Sequence, residues 1–137
     1  MALVICLSSL SLVRAQADEP WTEKQLKDPA ALAATLADSK APKPVIFNIG
    51  PVQQIKCAIA IGPANNKDNL EKLKRQLAKL PKDQEVIIYC GCCPFRRCPN
   101  VRPAFELLQQ LKFKNAKLLN LPTSLNDDWI SKGYPLE

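Results

Sequence analysis

Short apolar runs alternate with longer amphipathic segments along the chain, and this pattern predicts strands that alternate with helices. Continuous apolar runs bounded by turn residues indicate buried strands, whereas leucines that recur every three or four positions indicate one face of a helix. The predicted strands cover 45–47, 59–61, 85–89 and 116–119, and the predicted helices cover 30–36, 69–80, 103–111 and 125–131. The first helix is expected to begin at Asp28-Pro29, with Asp as N-cap and Pro at the first helical position.

Three of the predicted strands are continuous apolar runs rather than alternating ones, which is typical of strands buried on both faces. Such strands, alternating with helices, predict an α/β domain with a mostly parallel central sheet flanked by helices in three layers. Functional sites in such sheets form at the carboxyl ends of the strands. Cys90 directly follows the most convincing predicted strand, 85–89. We therefore expect the chemistry of the domain near Cys90.

The composition limits the function classes. With 137 residues, of which 47% are hydrophobic, the chain can form one domain with one core. Its net charge of +6 comes mostly from lysines scattered through amphipathic and loop segments, without interleaved aromatic residues, so no nucleic-acid binding is predicted. The sequence contains no histidine, which excludes Cys-His and Ser-His catalytic pairs and every zinc site that uses imidazole.

The amino-terminal segment resembles a signal peptide. Residues 2–13 are apolar with small polar residues, and Ala15-Gln16-Ala17 is a small-x-small cleavage pattern. We predict a signal peptide over 1–17, cleavage after Ala17, a domain over 18–137 and a periplasmic or secreted location. The apolar run is too short to span a bilayer, so no stable membrane anchor is expected. A buried first helix is the alternative.

Four of the six cysteines lie between Cys90 and Cys98, together with Arg96 and Arg97. A metal site is one interpretation, but the spacing does not match paired zinc knuckles, although copper(I) tolerates it better. A structural disulfide of Cys92 or Cys93 with Cys98 is another. Cys90 to Cys93 also spells a C-x-x-C redox motif, although too few residues follow it to complete a thioredoxin fold. No metal ligand and no cofactor are assigned.

The favoured interpretation is a cysteine nucleophile in an anion-binding loop. A strand ends at Cys90, small residues turn the chain, and a helix begins soon afterwards. Backbone N–H groups of such a loop and the positive end of the helix can hold an anion. With Arg96 and Arg97 they are expected to lower the pKa of Cys90 and make it a thiolate at neutral pH. Two roles remain open for Cys92, Cys93 and Cys98. They could form the structural disulfide, or one could act as a resolving thiol that attacks an intermediate on Cys90.

The chain resembles the rhodanese-like domain over nearly its whole length after residue 17. Family members have a strand that ends in Tyr-Cys, a short active-site loop, a helix with a Leu-Leu pair and a closing W-x-x-x-G-Y-P. The corresponding stretches are Val86–Cys90, Glu106–Leu108 and Trp129–Pro135. Ile55–Ile61 is similar to the family's I-P-G-A-I-N-I, and Lys112–Leu119 to its G-F-x-N-V-x-x-L. Asn48-Ile49-Gly50 stands where the family has D-x-R.

This resemblance implies a sulfurtransferase in which Cys90 takes sulfane sulfur as a persulfide and passes it to a thiol or another acceptor. It implies a small anionic sulfur donor and a thiol acceptor as partners. The residues expected to bind the substrate are Gly91, Cys92, Cys93, Phe95, Arg96 and Arg97. Two alternatives remain open. One is a non-catalytic module that binds thiols or copper(I), and the other is oxyanion chemistry of the phosphatase or arsenate reductase type, because Cys90 to Arg96 spells C-x5-R.

Overall fold

A central sheet of five parallel strands organises the chain. The computed structural model describes residues 18–137. The strands are β1 (Leu26–Lys27), β2 (Val45–Asn48), β3 (Ala58–Ala60), β4 (Val86–Tyr89) and β5 (Ala116–Leu119). They lie in the order β1-β5-β4-β2-β3, and all four neighbouring pairs are parallel. The most apolar strand, β4, is therefore central, with a neighbour on each side.

Helices cover both faces of the sheet and complete a three-layer α/β domain. The helices are α1 (Pro29–Ala37), α2 (Lys67–Leu77), α3 (Val101–Gln110) and α4 (Leu125–Asp128). Buried residues of α2 and α3 share one core cluster with one face of the sheet, and those of α1 and α4 share a second cluster with the other face. Helix α1 begins as predicted, because Asp28 Oδ2 accepts a hydrogen bond from the Ala31 N–H at 2.9 Å and Pro29 takes the first position.

The alternation along β4 directs the side chain of Cys90. Val86 and Ile88 pack in the core cluster of α2 and α3, whereas Ile87 and Tyr89 pack in that of α1 and α4. Because strand side chains alternate between faces, Cys90 continues the series of Val86 and Ile88 and belongs to the first of these clusters. The thiol therefore lies on the side of the sheet that α3 covers, at the carboxyl end of the strand.

The sequence predicts this architecture well. The α/β class, the parallel sheet and its flanking helices are confirmed, and the predicted strands and helices fall within a few residues of the observed ones. Strand β1 was not predicted, because two half-buried residues, Leu26 and Lys27, carry no apolar run. The predicted signal peptide lies outside the described residues. Within 18–137, no helix combines the length and the apolar character needed to cross a membrane.

Candidate active site at the carboxyl edge of the sheet

Cys90 directly follows β4 and begins the loop that leads to α3. The chain after the end of β2 covers its sulfur. The side chain of Cys90 is 2% exposed. The chain after β2 runs beside it, since the Ile49 N–H donates to the Tyr89 carbonyl at 2.9 Å. A Cβ atom at Gly50 would lie 2.5 Å from Cys90 Sγ. Only glycine fits at this position, so Gly50 allows the backbone to pass directly over the sulfur.

A tight turn at Gly91 directs the loop away from the strand. Gly91 has φ of +73°, and a Cβ atom there would lie 2.6 Å from the Leu125 Cβ. Its carbonyl accepts a hydrogen bond from the Leu125 N–H at 2.8 Å, at the start of α4. The chain then passes through Cys92 and Cys93 and forms a 3-10 turn at Phe95–Arg97. That turn brings Cys98 back toward Cys90.

Three sulfur atoms meet as a result. The Sγ atoms of Cys90, Cys92 and Cys98, which we call the cysteine cluster, all lie within 4.8 Å of one another. Cys92 Sγ lies 3.1 Å from Cys90 Sγ and 3.9 Å from Cys98 Sγ. Cys90 and Cys98 are buried, whereas Cys92 is exposed. The cluster therefore has a buried pair and one member that solvent reaches.

Asn100 supports the cluster from the start of α3, and the sequence did not reveal this role. Asn100 is buried, its Nδ2 donates to Cys90 Sγ at 3.4 Å, and its Oδ1 accepts from the Asn65 N–H at 3.1 Å. An Asn just before a helix usually signals an N-cap, but this side chain makes no capping hydrogen bond. The position of Asn100 before a helix is visible in the sequence, but its hydrogen bond to Cys90 depends on the tertiary fold.

The pKa values of the buried pair differ from the sequence prediction. We expected a lowered pKa at Cys90, and this prediction is wrong, because its interaction with the Cys98 side chain and its burial both raise the pKa. The pKa of Cys98 is lowered from 9.0 to about 5, first through the interaction with Cys90 and further through hydrogen bonds that include the Asn100 backbone N–H. At neutral pH the buried pair therefore shares one thiolate, and the directions of the two pKa shifts favour Cys98 over Cys90.

The arginines do not have the role that the sequence suggested. Arg96, the arginine of the C-x5-R spacing, forms ion pairs with Glu19 and with Glu23, the latter at 3.0 Å. These carboxylates raise the pKa of the Arg96 guanidinium. Within residues 18–137, the Arg97 side chain makes no hydrogen bond or ion pair, and it is exposed. We expected one arginine to face a Cys90 thiolate, and Arg96 does not. Its ion pairs connect the segment before β1 to the loop instead.

The remaining predicted residues lie around the cluster at different depths. Phe95 is buried, with its ring edge-on to that of Trp21 at 5.9 Å, so it anchors the loop in the core. Cys93 Sγ lies 3.3 Å from Cys92 Sγ, and burial together with the neighbouring thiols raises the pKa of Cys93 to about 12. Cys57 is exposed, lies outside the cluster and follows β2 by nine residues at a φ of +67°.

An open cleft of about 630 Å³ lies beside the cluster. Gly91 and Cys92 form one part of its wall, and polar side chains of Gln53, Ser124 and Asn126 form another. Cys92 is the cluster sulfur that reaches this cleft, whereas Cys90 lies behind it. A ligand in the cleft would therefore meet Cys92 first.

All five cysteines of residues 18–137 are free thiols. The Cys92 and Cys98 sulfurs are 3.9 Å apart, so a small rotation could join them, but the predicted disulfide remains a prediction. Of the adjacent pair, Cys92 contacts Cys90, as expected of a resolving thiol, and Cys93 contacts Cys92 instead. The same three sulfurs of the cluster could also hold a metal ion.

A scan against protein-family models, a search of curated proteins and a search of solved structures each find nothing that matches this chain. The function must therefore be inferred from the geometry of the cluster and its surroundings.

Proposed function

We propose that the chain is a rhodanese-like sulfurtransferase in which Cys90 takes sulfane sulfur as a persulfide and passes it to a thiol or another acceptor. The observation that carries the proposal is a buried thiol at the carboxyl end of the central strand, with a thiolate beside it and an open cleft in front. Cys90 and Cys98 form that buried pair, and Cys92 connects it to the cleft. Parallel sheets commonly place their chemistry at this edge.

The transfer needs a route for the proton of Cys90, because its raised pKa keeps it protonated. Cys92 lies within hydrogen-bond distance of both Cys90 and Cys98. The proton of Cys90 can therefore pass through the Cys92 thiol to the Cys98 thiolate as Cys90 attacks. This arrangement supplies a base in a chain that contains no histidine.

The chemistry balances with thiosulfate as donor. The Cys90 sulfur attacks the sulfane sulfur, the donor S–S bond breaks, and sulfite leaves with the electron pair. The product is a Cys90 persulfide. An acceptor thiolate or cyanide then attacks the outer sulfur and regenerates the Cys90 thiolate, which recovers its proton from Cys98. Cys92 has a second option, attack on the inner sulfur, which releases sulfide and leaves a Cys90–Cys92 disulfide.

Intact mass spectrometry of the reduced protein after thiosulfate treatment tests the proposal. We expect a mass gain of one sulfur atom that cyanide removes as thiocyanate. Cys90→Ser should abolish both, and Cys57→Ser, which changes an exposed cysteine outside the cluster, should retain both. A wild-type protein that neither gains sulfur nor forms the Cys90–Cys92 disulfide, or a Cys90→Ser variant that still gains sulfur, would overturn the proposal.

The competing oxyanion function requires Arg96 to leave two carboxylates before it can bind a substrate. We therefore favour sulfur chemistry over phosphate or arsenate chemistry. The proposed partners are a small anionic sulfur donor and a thiol acceptor.

We also propose that the protein is exported to the periplasm or beyond, with cleavage after Ala17. Amino-terminal sequencing of protein from its native host should find Asp18 first, and a chain that retains residues 1–17 would contradict export by this route.

A further inference from the structure

We propose that Cys90, Cys92 and Cys98 form a three-coordinate site for copper(I). This site does not depend on sulfur transfer, although it uses the same sulfur atoms. The evidence is that three thiols converge from the two ends of one loop. Cys90 and Cys92 follow β4, and Cys98 precedes α3.

The sulfur positions are close to those of a bound trigonal ion. With metal–sulfur bonds of about 2.3 Å, three sulfurs in a plane around one ion lie about 4 Å apart. The Cys92 and Cys98 sulfurs are 3.9 Å apart, and all three lie within 4.8 Å of one another. The Cys90–Cys92 separation of 3.1 Å must widen. Because Cys92 is exposed, its side chain can make that adjustment without moving the core.

The donor set favours a soft ion. All three ligands are sulfurs, and the group of metal-ligating side chains contains no carboxylate. Thiolates select copper(I), zinc and iron–sulfur clusters over harder ions. Structural zinc sites are almost always four-coordinate and tetrahedral. Among the described residues, Cys93 does not lie within the 4.8 Å group, so the protein offers three ligands rather than four. The count therefore favours copper(I) over zinc.

The surroundings stabilise the charge of such a site. A monovalent ion with three thiolates carries a net negative charge, and the amino-terminal end of α3 begins three residues after Cys98. Asn100 Nδ2 donates to Cys90 Sγ at 3.4 Å, as an outer-shell partner of a ligand would. Burial of Cys90 and Cys98 shields the sulfurs from water, whereas exposed Cys92 gives the ion access from the cleft.

Titration of the fully reduced full-length protein with copper(I) in oxygen-free buffer tests the site, in competition with a coloured copper(I) chelator. We expect one copper(I) per chain, and the ligand thiols that are still protonated should release their protons to solvent. X-ray absorption of the loaded protein should show sulfur scatterers only, three in number. Two sulfur scatterers, more than one ion per chain at equal affinity, or no competition with the chelator would overturn the proposal.

Five single cysteine variants define the ligands. Replacing Cys90, Cys92 or Cys98 with Ser should each weaken copper(I) binding by more than about 100-fold, because even an outer-shell partner contributes 10–100-fold. Cys57→Ser and Cys93→Ser should retain wild-type affinity, and Cys93→Ser is the sharper control because its sulfur lies 3.3 Å from Cys92 Sγ. An equal loss in Cys93→Ser and Cys98→Ser would show a different ligand set and contradict the site.

Zinc competition tests which ion the site prefers, and sulfur uptake tests the proposed function separately from the metal site. Zinc(II) should not displace copper(I), and a preference for zinc would contradict the three-coordinate assignment. A protein that binds copper(I) but gains no sulfur from thiosulfate would retain this inference and lose the sulfurtransferase. The opposite result would retain the sulfurtransferase and reject the metal site.

Discussion

Cys90 and Cys98, which we call the inner pair, differ sharply from Cys92 and Cys93, the outer pair, although all four lie within one loop. The inner pair is buried, 2% and 5% exposed, whereas Cys92 is exposed and Cys93 is half-buried. The inner residues are eight positions apart in sequence and the outer ones are adjacent. Closeness in sequence therefore does not decide which sulfurs share an environment.

The backbone produces this difference. The inner pair lies where β4 ends and where the chain returns to begin α3, so neighbouring elements cover both sulfurs. The outer pair lies on the turn between them, where Gly91 packs on Leu125 and the cleft opens. The loop therefore separates two environments. The inner pair lies away from water, whereas Cys92 lies at the wall of the cleft.

Replacing Cys98 with Ser should have the largest effect on this comparison. Wild-type protein should show one thiolate that titrates near pH 5, detectable by ultraviolet thiolate absorbance or by alkylation rate. Without Cys98 the largest cause of the raised pKa of Cys90 is also lost. The remaining thiols should then titrate nearer their ordinary range, and the thiolate fraction at neutral pH should fall by about 30-fold.

Cys57→Ser is the matched control, because Cys57 is a free thiol outside the cluster. It should leave the acidic titration unchanged. If Cys98→Ser keeps a thiolate near pH 5, the inner pair is not its source, and the distinction between inner and outer pairs fails.

The stability of the reduced protein should depend on pH through the same pair. Cys98 has a lowered pKa in the folded state, so its contribution is fully present above pH 9 and is lost as pH falls toward 5. Cys90 has a raised pKa, so its contribution is present below pH 9 and is lost at higher pH. The free energy of unfolding should therefore rise by about 1–3 kcal/mol from pH 5 to 9, after allowance for solvent screening, and then decline.

Urea unfolding across this range checks the prediction, with reductant present throughout. Cys98→Ser should remove the rise between pH 5 and 9, and Cys57→Ser should preserve it. If the free energy of unfolding rises equally with pH in both variants, groups other than the inner pair cause the rise.

Asn100→Asp should have an intermediate effect. Aspartate keeps an oxygen that can accept from the Asn65 N–H, but it replaces the donor at Cys90 Sγ with a negative charge. Like charge near the sulfurs disfavours their thiolates, so the titration near pH 5 should move upward and sulfur uptake should slow by about 10-fold.

The same change at Asn66 is the control. The Asn66 side chain is exposed and caps α2, a task that aspartate performs equally well. An Asn100→Asp variant that titrates like wild type would mean that the amide does not influence the inner pair, and Asn100 would then have only a structural role.

The sequence predicts the sheet and the position of Cys90 because both depend on local pattern. A continuous apolar run from Val86 to Ile88 identifies β4, and the residue after a central parallel strand lies at the functional edge. The thiolate was assigned to the wrong cysteine because the pKa of Cys98 depends on Cys90 and on the 3-10 turn that brings them together. Loop spacing alone does not specify that return.

The arginines illustrate the same limit over a longer distance. Arg96 lies next to the cysteines in sequence, and proximity suggested a role at the sulfurs. Its partners, Glu19 and Glu23, are more than 70 residues away along the chain. No local pattern links these residues, because only the tertiary fold places the segment before β1 beside the loop.

Arg96→Ala should have the smallest effect. Its guanidinium is about half exposed, and exposed ion pairs contribute at most about 1 kcal/mol, so the free energy of unfolding should decrease slightly. Trp21 should still hold the same segment, because it is buried against Phe95 and Phe105. The thiolate titration near pH 5 should not move, because Arg96 is engaged by carboxylates.

Arg97→Ala, at an exposed arginine without these ion pairs, is the matched control for stability. If Arg96→Ala instead shifts the titration or weakens binding of the sulfur donor, its guanidinium reaches the cluster during function. The C-x5-R interpretation would then regain support, because the residue that it requires would act on the same anion as the cysteines.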